Sequence, residues 1–382
     1  MTAPTVILSA VGDVAACRVD PADIFRGCGA ALGSGDLLFG QLETTITDRG
    51  AKAPNARLAM RCPPIMADAA AQAGFDVMSF AGNHCLDWGY EGFDDTLAHM
   101  ARVGVPLCGA GQTLAAARAP VLMERGGLSF AFLAYSSILP EGYRAERNRP
   151  GSAPLRAHTL YEQVEYDQPG TPARILTRTH LQDLADLIAD VTAASAQADI
   201  VILSLHWGVH MVEGVIALYQ PERVHAAVAA GADAVIGHHP HILKGVEFID
   251  GAPIFYSLGN FAIEQPQAFD PAIVETDSFR HLMSLNPTAH PTDIYVLPED
   301  TRMTGIVRLH CTKQGVARTS FLPAWIADDS APEMLPPSDP RFGRVATYLE
   351  RISREHGLSL AVTPEGDALT LAPANPALEE AA

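Results

Sequence analysis

Short apolar runs that close on polar residues, alternating with amphipathic segments, recur through most of this chain, and they constrain its fold more than any other feature. The runs are Val6 to Val11 before Gly12-Asp13, Asp36 to Gly40 before Gln41-Leu42-Glu43, and Val77 to Ala81 before Gly82-Asn83-His84. Three more follow: Ser129 to Tyr135, Ile200 to Leu205 before His206, and Ala234 to Ile236 before Gly237-His238-His239-Pro240-His241. Between them lie helical patterns at Pro64 to Ala73, Glu91 to Val103, Thr179 to Ala196 and Pro221 to Ala230, the last stopped by Gly231. Buried strands read as apolar runs and covering helices as amphipathic ones, so the class is α/β, with helices on both sides of buried sheet. In such sheets ligands bind in the loops at the carboxyl ends of strands.

Composition narrows the function. With 48% hydrophobic and 18% charged residues the chain can bury a large core, which excludes wholesale disorder. Its 44 acidic against 26 basic residues give a net charge of -18, and a nucleic-acid partner is not expected, because neutralising phosphates takes Lys and Arg. No window approaches the roughly 18 uncharged apolar residues of a membrane-spanning helix. The segment Met1-Thr2-Ala3-Pro4 lacks a basic region, and the six cysteines (17, 28, 62, 85, 108, 311) show no CxxC pairing. Reduced thiols and a cytoplasmic location are the expectation.

Two segments break the rhythm. Residues 140–178 are rich in Pro, Gly, Arg and Glu, while 264–303 hold five Pro and two His; both read as surface insertions that cover a site. The expected organisation is a domain over residues 1–325 carrying these insertions, then a linker and small appendage over 326–382. The appendage has a helix from Arg344 to His356, a strand pair around Ser359 to Val362 and Leu369 to Leu371, and a frayed end over the last ten residues.

The strand ends carry Asp13, Glu43, Asn83 with His84, His206, and His239 with His241. A lone Asp at a strand end most often caps a turn, and a lone His is most often structural. Seven residues of oxygen and nitrogen ligand types at equivalent positions are a different matter. Imidazole with carboxylate suits zinc, iron or manganese, and two such ions close together share a hydrolytic nucleophile.

The runs Val11-Gly12-Asp13, Gln41-Leu42-Glu43, Asn83-His84-Cys85-Leu86-Asp87-Trp88-Gly89, Leu205-His206-Trp207-Gly208, Gly237-His238-His239-Pro240-His241 and Tyr256-Ser257-Leu258-Gly259-Asn260-Phe261 resemble the CapA family, named for poly-γ-glutamate capsule biosynthesis. That family looks like a branch of the calcineurin-like metallophosphoesterases, and the resemblance covers roughly residues 5–325. It implies a four-layer α/β/β/α sandwich with the site at one edge of its two sheets. It further implies Asp13, Glu43, Asn83, His206, His239 and His241 as metal ligands, with His84 touching substrate as acid or charge stabiliser and Asp87 orienting it. The chain departs from that pattern where residue 15 is Ala in place of the Asp-x-His histidine, and Glu43 is one methylene longer than the usual Asp. The site could therefore hold two ions, one, or none. His210 stands where many relatives carry an acidic residue, and could be an extra ligand, a substrate contact or a loop residue; Asn260 is expected to support the site.

Other features are declined. Cys85 reads as a packing residue, His238 as a neighbour, and Gly109-Ala110-Gly111 as a turn. Arg144, Arg147 and Arg149 read as a solvated charge run.

These residues and the family resemblance together suggest three functions, the epimerase and accessory readings being what the resemblance implies. The first is a metal-dependent hydrolase of a small amide, ester or phosphoester, including peptides. The second is a metal-independent acid/base enzyme, such as an epimerase at a peptide Cα, with Asp13 and one of the histidines on opposite faces of the carbon. The third is an accessory protein of poly-γ-glutamate synthesis, disfavoured by an acidic chain that would have to handle an anionic polymer. Neither the substrate nor the oligomeric state is legible.

Overall fold

A computed structural model describes residues 5–290, 292 and 294–374. The fold is mixed α/β and is built on two large sheets. In the ten-stranded sheet the main path runs Leu360–Glu365, Ala368–Pro373, Gly315–Ile326, Met303–Thr312, Val6–Ala15, Leu37–Leu42, Val77–Ser79, Leu107–Cys108. Asn260–Ile263 pairs in parallel with Val6–Ala15, and Pro332–Met334 pairs antiparallel with Gly315–Ile326. The six-stranded sheet runs Val246–Ile249, Ala252–Phe255, Ala234–His238, Ile200–His206, Leu128–Ser136, Val121–Arg125. The inner strands of both sheets that carry the apolar runs pair in parallel, so their carboxyl ends share an edge.

Strand alternation sorts side chains between the faces. Leu8, Ala10, Phe39 and Val77 of one sheet meet Phe130, Phe132, Ile202 and Ile236 of the other in one buried cluster, with the Phe39 and Phe132 rings stacked at 5.6 Å. The opposite face of the larger sheet buries Met66, Ala70, Phe93 and Met100 from the helices Ile65–Ala73 and Gly89–Arg102. The opposite face of the smaller one buries Leu187, Val191, Val224 and Ala227 from Leu181–Ser195 and Tyr219–Ala229.

Several expectations need revision in detail. The first strand continues through Asp13 to Ala15, because Asn260–Ile263 flanks it there and supplies partners for its backbone. Gly109-Ala110-Gly111 is not simply a turn, since Ala110–Gly111 pairs with Gly151–Ser152. The segment expected as linker and appendage is built into the large sheet. Its helix Pro340–Glu355 buries Val345, Leu349 and Ile352, and its hairpin buries Leu369 and Leu371, in the cluster between the sheets. From residue 375 onward, the end expected to fray lies outside the described residues.

The two insertions differ from each other. The described residues of 264–303 include short helices, among them Asp277–Ser284, and pack around Phe279, Met283, Tyr295 and Leu297. Residues 140–178 are not a cover along their length: Ala157–Glu162 and Arg174–Thr179 form an exposed antiparallel hairpin. Among the described residues no helix is long and apolar enough to cross a membrane, and all six cysteines are free.

Candidate metal centre

Asp13 is fixed by backbone before it meets any side chain. A bulge between Asp13 and Val14 turns the strand, and the Asp13 amide donates to the Gly259 carbonyl at 3.0 Å. Only glycine permits that approach at position 12, where a Cβ would stand 2.0 Å from the Gly259 oxygen. Glu43 follows directly on its strand; its amide donates to the Val14 carbonyl at 3.0 Å, and its Oε2 accepts from Gln41 Nε2 at 3.2 Å. His206 ends its strand, while His239 and His241 adopt left-handed φ values of 94° and 58° just beyond Ala234–His238. Non-glycine residues occupy that region at a cost, and it is found where function demands an orientation.

These elements bring Asp13, Glu43 and His206 together, each offering a ligand atom within 4.8 Å of the others, and all three are buried. Asn83 Oδ1 stands 2.6 Å from His206 Nε2, which is 3.5 Å from Glu43 Oε1. His241 Nδ1 lies 3.1 Å from Asp13 Oδ2 and 2.7 Å from Asn260 Oδ1. His238 Nδ1 lies 3.4 Å from Asp13 Oδ1. The His239 ring is 4.9 Å from that of His206, and His210 sits 5.0 Å from His239 and 4.8 Å from His241. His210 is thus a member of the imidazole cluster and not a free loop residue.

Electrostatics fit a cation. Burial opposes ionisation of Asp13, but His238 and His241 outweigh it and hold the carboxyl well below the usual carboxylate range. Burial and then the charge of Asp13 push Glu43 up. Burial, with neighbouring imidazoles, lowers His206 and His210 well below the ordinary histidine range and His239 to about 3, so these rings are neutral and keep a free lone pair. Both Asp13 oxygens, Glu43 Oε1, His206 Nδ1, His239 Nδ1 and His210 Nε2 are buried without a hydrogen-bond partner. Orphaned carboxylates beside neutral imidazoles are costly, and a divalent ion would satisfy both.

His84 stands beside this group, with Nδ1 2.6 Å from Asp87 Oδ2 and Nε2 3.9 Å from Glu43 Oε1. Asp87 also accepts from the Met60 amide at 2.7 Å and the Tyr143 hydroxyl at 2.9 Å, which fixes its carboxylate. Burial works against a charged His84, but Asp87 outweighs it and raises the imidazole above its ordinary value.

A cavity of ≈ 310 Å³ opens over the centre. Asn83, His84, Asp87, His210, His239, His241 and Asn260 line it, whereas Asp13, Glu43 and His206 lie beneath and do not reach its wall. Sequence reasoning missed Gln41, Tyr143, Arg57 and the apolar wall. Tyr143 follows an undistinguished Pro140-Glu141-Gly142, and Arg57 lies in a polar loop, so no spacing marked either. Burial pushes the Cys85 thiol up, as suits a packing residue. Arg144 and Arg149 pair with Glu146 at 3.0 and 2.8 Å.

Residues 5–265 match the family model described as bacterial capsule synthesis protein PGA_cap. The chain is 31% identical over 192 residues to the PGA biosynthesis protein CapA of Bacillus subtilis, covering 50% of this chain and 43% of that protein. It is 29% identical over 339 residues to a probable polyglutamine synthesis accessory protein of Mycobacterium tuberculosis, covering 86% and 76%. The chain thus spans less than half the length of the first relative and about three quarters of the second. A solved structure of a hypothetical protein from Thermus thermophilus aligns with a TM-score of 0.39 at 15% identity, covering 86% of this chain and 96% of that one.

Proposed function

The chain belongs to the bacterial capsule synthesis protein family PGA_cap, and from that premise we propose that it is a metal-dependent hydrolase of a small amide, ester or phosphoester. The observation that carries the proposal is the buried convergence of Asp13, Glu43 and His206, with both Asp13 oxygens and Glu43 Oε1 free of hydrogen-bond partners. Two sheets with helices on their outer faces support the four-layer metallophosphoesterase-type arrangement that the resemblance implies.

Asp13, Glu43 and His206 would hold the ion, with Asn83, His239 and His241 completing its surroundings and His210 adjoining them. A divalent ion there supplies Lewis acidity and a hydrolytic nucleophile at neutral pH. Burial keeps His206 and His239 neutral and so able to donate lone pairs. His84, on the cavity wall and with its imidazole pKa raised by Asp87, is placed to give a proton to the leaving group. Tyr143 and the Met60 amide hold Asp87 so that the proton stays aimed into the cavity.

The printed names of the relatives favour a second reading, an accessory role in polyglutamate synthesis. Acid/base chemistry through Asp13 is less well supported, because that carboxylate lies beneath the histidines and off the cavity wall.

The test is hydrolysis of amide, ester and phosphoester panels by protein reconstituted with zinc, manganese or iron. Turnover of one class is expected, abolished by chelation and lowered about 10²- to 10⁴-fold in His84→Gln. Metal-loaded, folded protein that cleaves none of the classes sinks the proposal.

A further inference from the structure

The cavity above the centre has two unlike sides. Against the histidine floor stands a wall of Ile263, Phe269, Ile273, Phe279, Leu282 and Leu297, contributed by the segment 263–297. Across the same lining there is one Lys or Arg among the described residues, Arg57. Its guanidinium has neither an ion-pair nor a hydrogen-bond partner among the described residues, while Glu264, also on the lining, is neutralised by Arg18 at 2.6 Å. Leu58 packs on the buried cluster of Ile273, Phe279 and Leu297, so the chain sets Arg57 next to the apolar wall.

We infer that the substrate is an amphiphilic monoanion, with one carboxylate- or phosphate-type group held by Arg57 and an apolar group on the 263–297 wall, flanking the bond presented to the histidines. The inference rests on the hydrolase proposal for the same site. Guanidinium binds such anions through paired, charge-assisted hydrogen bonds, and an unpartnered Arg at a cavity is free to do so. The apolar wall gains by excluding water from hydrocarbon. A γ-linked oligoglutamate is the wrong shape chemically, because each further carboxylate would face hydrocarbon with no cation to meet it. The net charge of -18 repels such a polyanion as well.

The experiment is isothermal titration calorimetry on the full chain with 4-phenylbutyrate, its neutral amide and γ-linked triglutamate. In the wild type, phenylbutyrate should bind at least about tenfold more tightly than the amide or the triglutamate. Arg57→Gln should abolish the preference for acid over amide while leaving the amide unchanged; Arg57→Lys should restore part of it. Phe279→Ala should weaken acid and amide alike, by about tenfold. Arg57 is exposed, so its variants are expected to fold, and thermal melts verify this. Equal binding of acid and amide, an acid preference that survives Arg57→Gln, tighter binding of triglutamate, or no saturable binding of phenylbutyrate overturns the inference. Binding ratios need no turnover, so a failed hydrolysis screen with these ratios intact sinks the hydrolase proposal alone, and the reverse result sinks this inference alone.

Discussion

Asp87 ties three segments together, accepting from His84, the Met60 amide and the Tyr143 hydroxyl at once. Burial alone would discharge His84; the Asp87 carboxylate reverses that and raises its pKa. A raised histidine pKa means a stabilising ion pair that is fully present below the unfolded value near 6.5 and is lost as pH rises through the higher folded value. Asp87→Asn should therefore move the His84 titration, followed by NMR, to lower pH. Urea melts should show the variant less stable, by about 1.5–3 kcal/mol at mildly acidic pH. That deficit should shrink as pH rises, leaving only the share due to the Met60 and Tyr143 bonds. The residue types at the centre were legible because they stand at strand ends: Asp13, Glu43, Asn83, His206, His239 and His241 all converge on one edge. Arg57 and Tyr143 were not, since nothing local distinguishes them and only the fold brings them near the site, while Gln41 stands in a marked run but its bond to Glu43 shows only in the fold.

At the scale of elements, buried parallel strands announce themselves as uninterrupted apolar runs, which is why Ile200 to Leu205 falls within the strand Ile200–His206. The antiparallel hairpin of Met303–Thr312 and Gly315–Ile326 went unread, because its strands alternate apolar with polar residues over part of their length, a half-buried strand pattern unlike the continuous apolar runs of the parallel strands. The wall built by 263–297 went unread for a different reason: its prolines hide short helices whose apolar side chains are defined only by what they pack against. The element that most directly sets the site is the crossing of Val6–Ala15 over the Ser257-to-Asn260 turn. Gly12→Ala would place a methyl group against the Gly259 carbonyl, both sides being backbone, so neither yields easily. The expected outcome is a loss of about 2–3 kcal/mol in denaturant melts together with a displaced Asp13. Gly74→Ala, where a Cβ would meet nothing but φ is 93°, is the milder control.

For the whole molecule, the two sheets, their outer helices and the C-terminal segment share buried surface. Val345, Leu349, Ile352, Leu369 and Leu371 all lie in the cluster between the sheets. Removing them by truncation after residue 325 exposes side chains worth about 1.5–3 kcal/mol each, comparable in sum with the entire stability of a typical domain. The truncated chain is expected to aggregate or to melt without cooperativity by circular dichroism. The same assembly brings both sheet edges together, one supplying Asp13 and Glu43 and the other His206, so neither sheet alone could hold an ion. The direct measurement is metal content by inductively coupled plasma mass spectrometry on the full chain, purified without a histidine tag or chelator, beside His206→Ala. The wild type should carry about one or two equivalents of zinc, manganese or iron, and the variant should lose most of it. A folded wild-type protein that contains none of these metals, and takes up none when they are supplied, would contradict the assignment of Asp13, Glu43 and His206 as a metal centre.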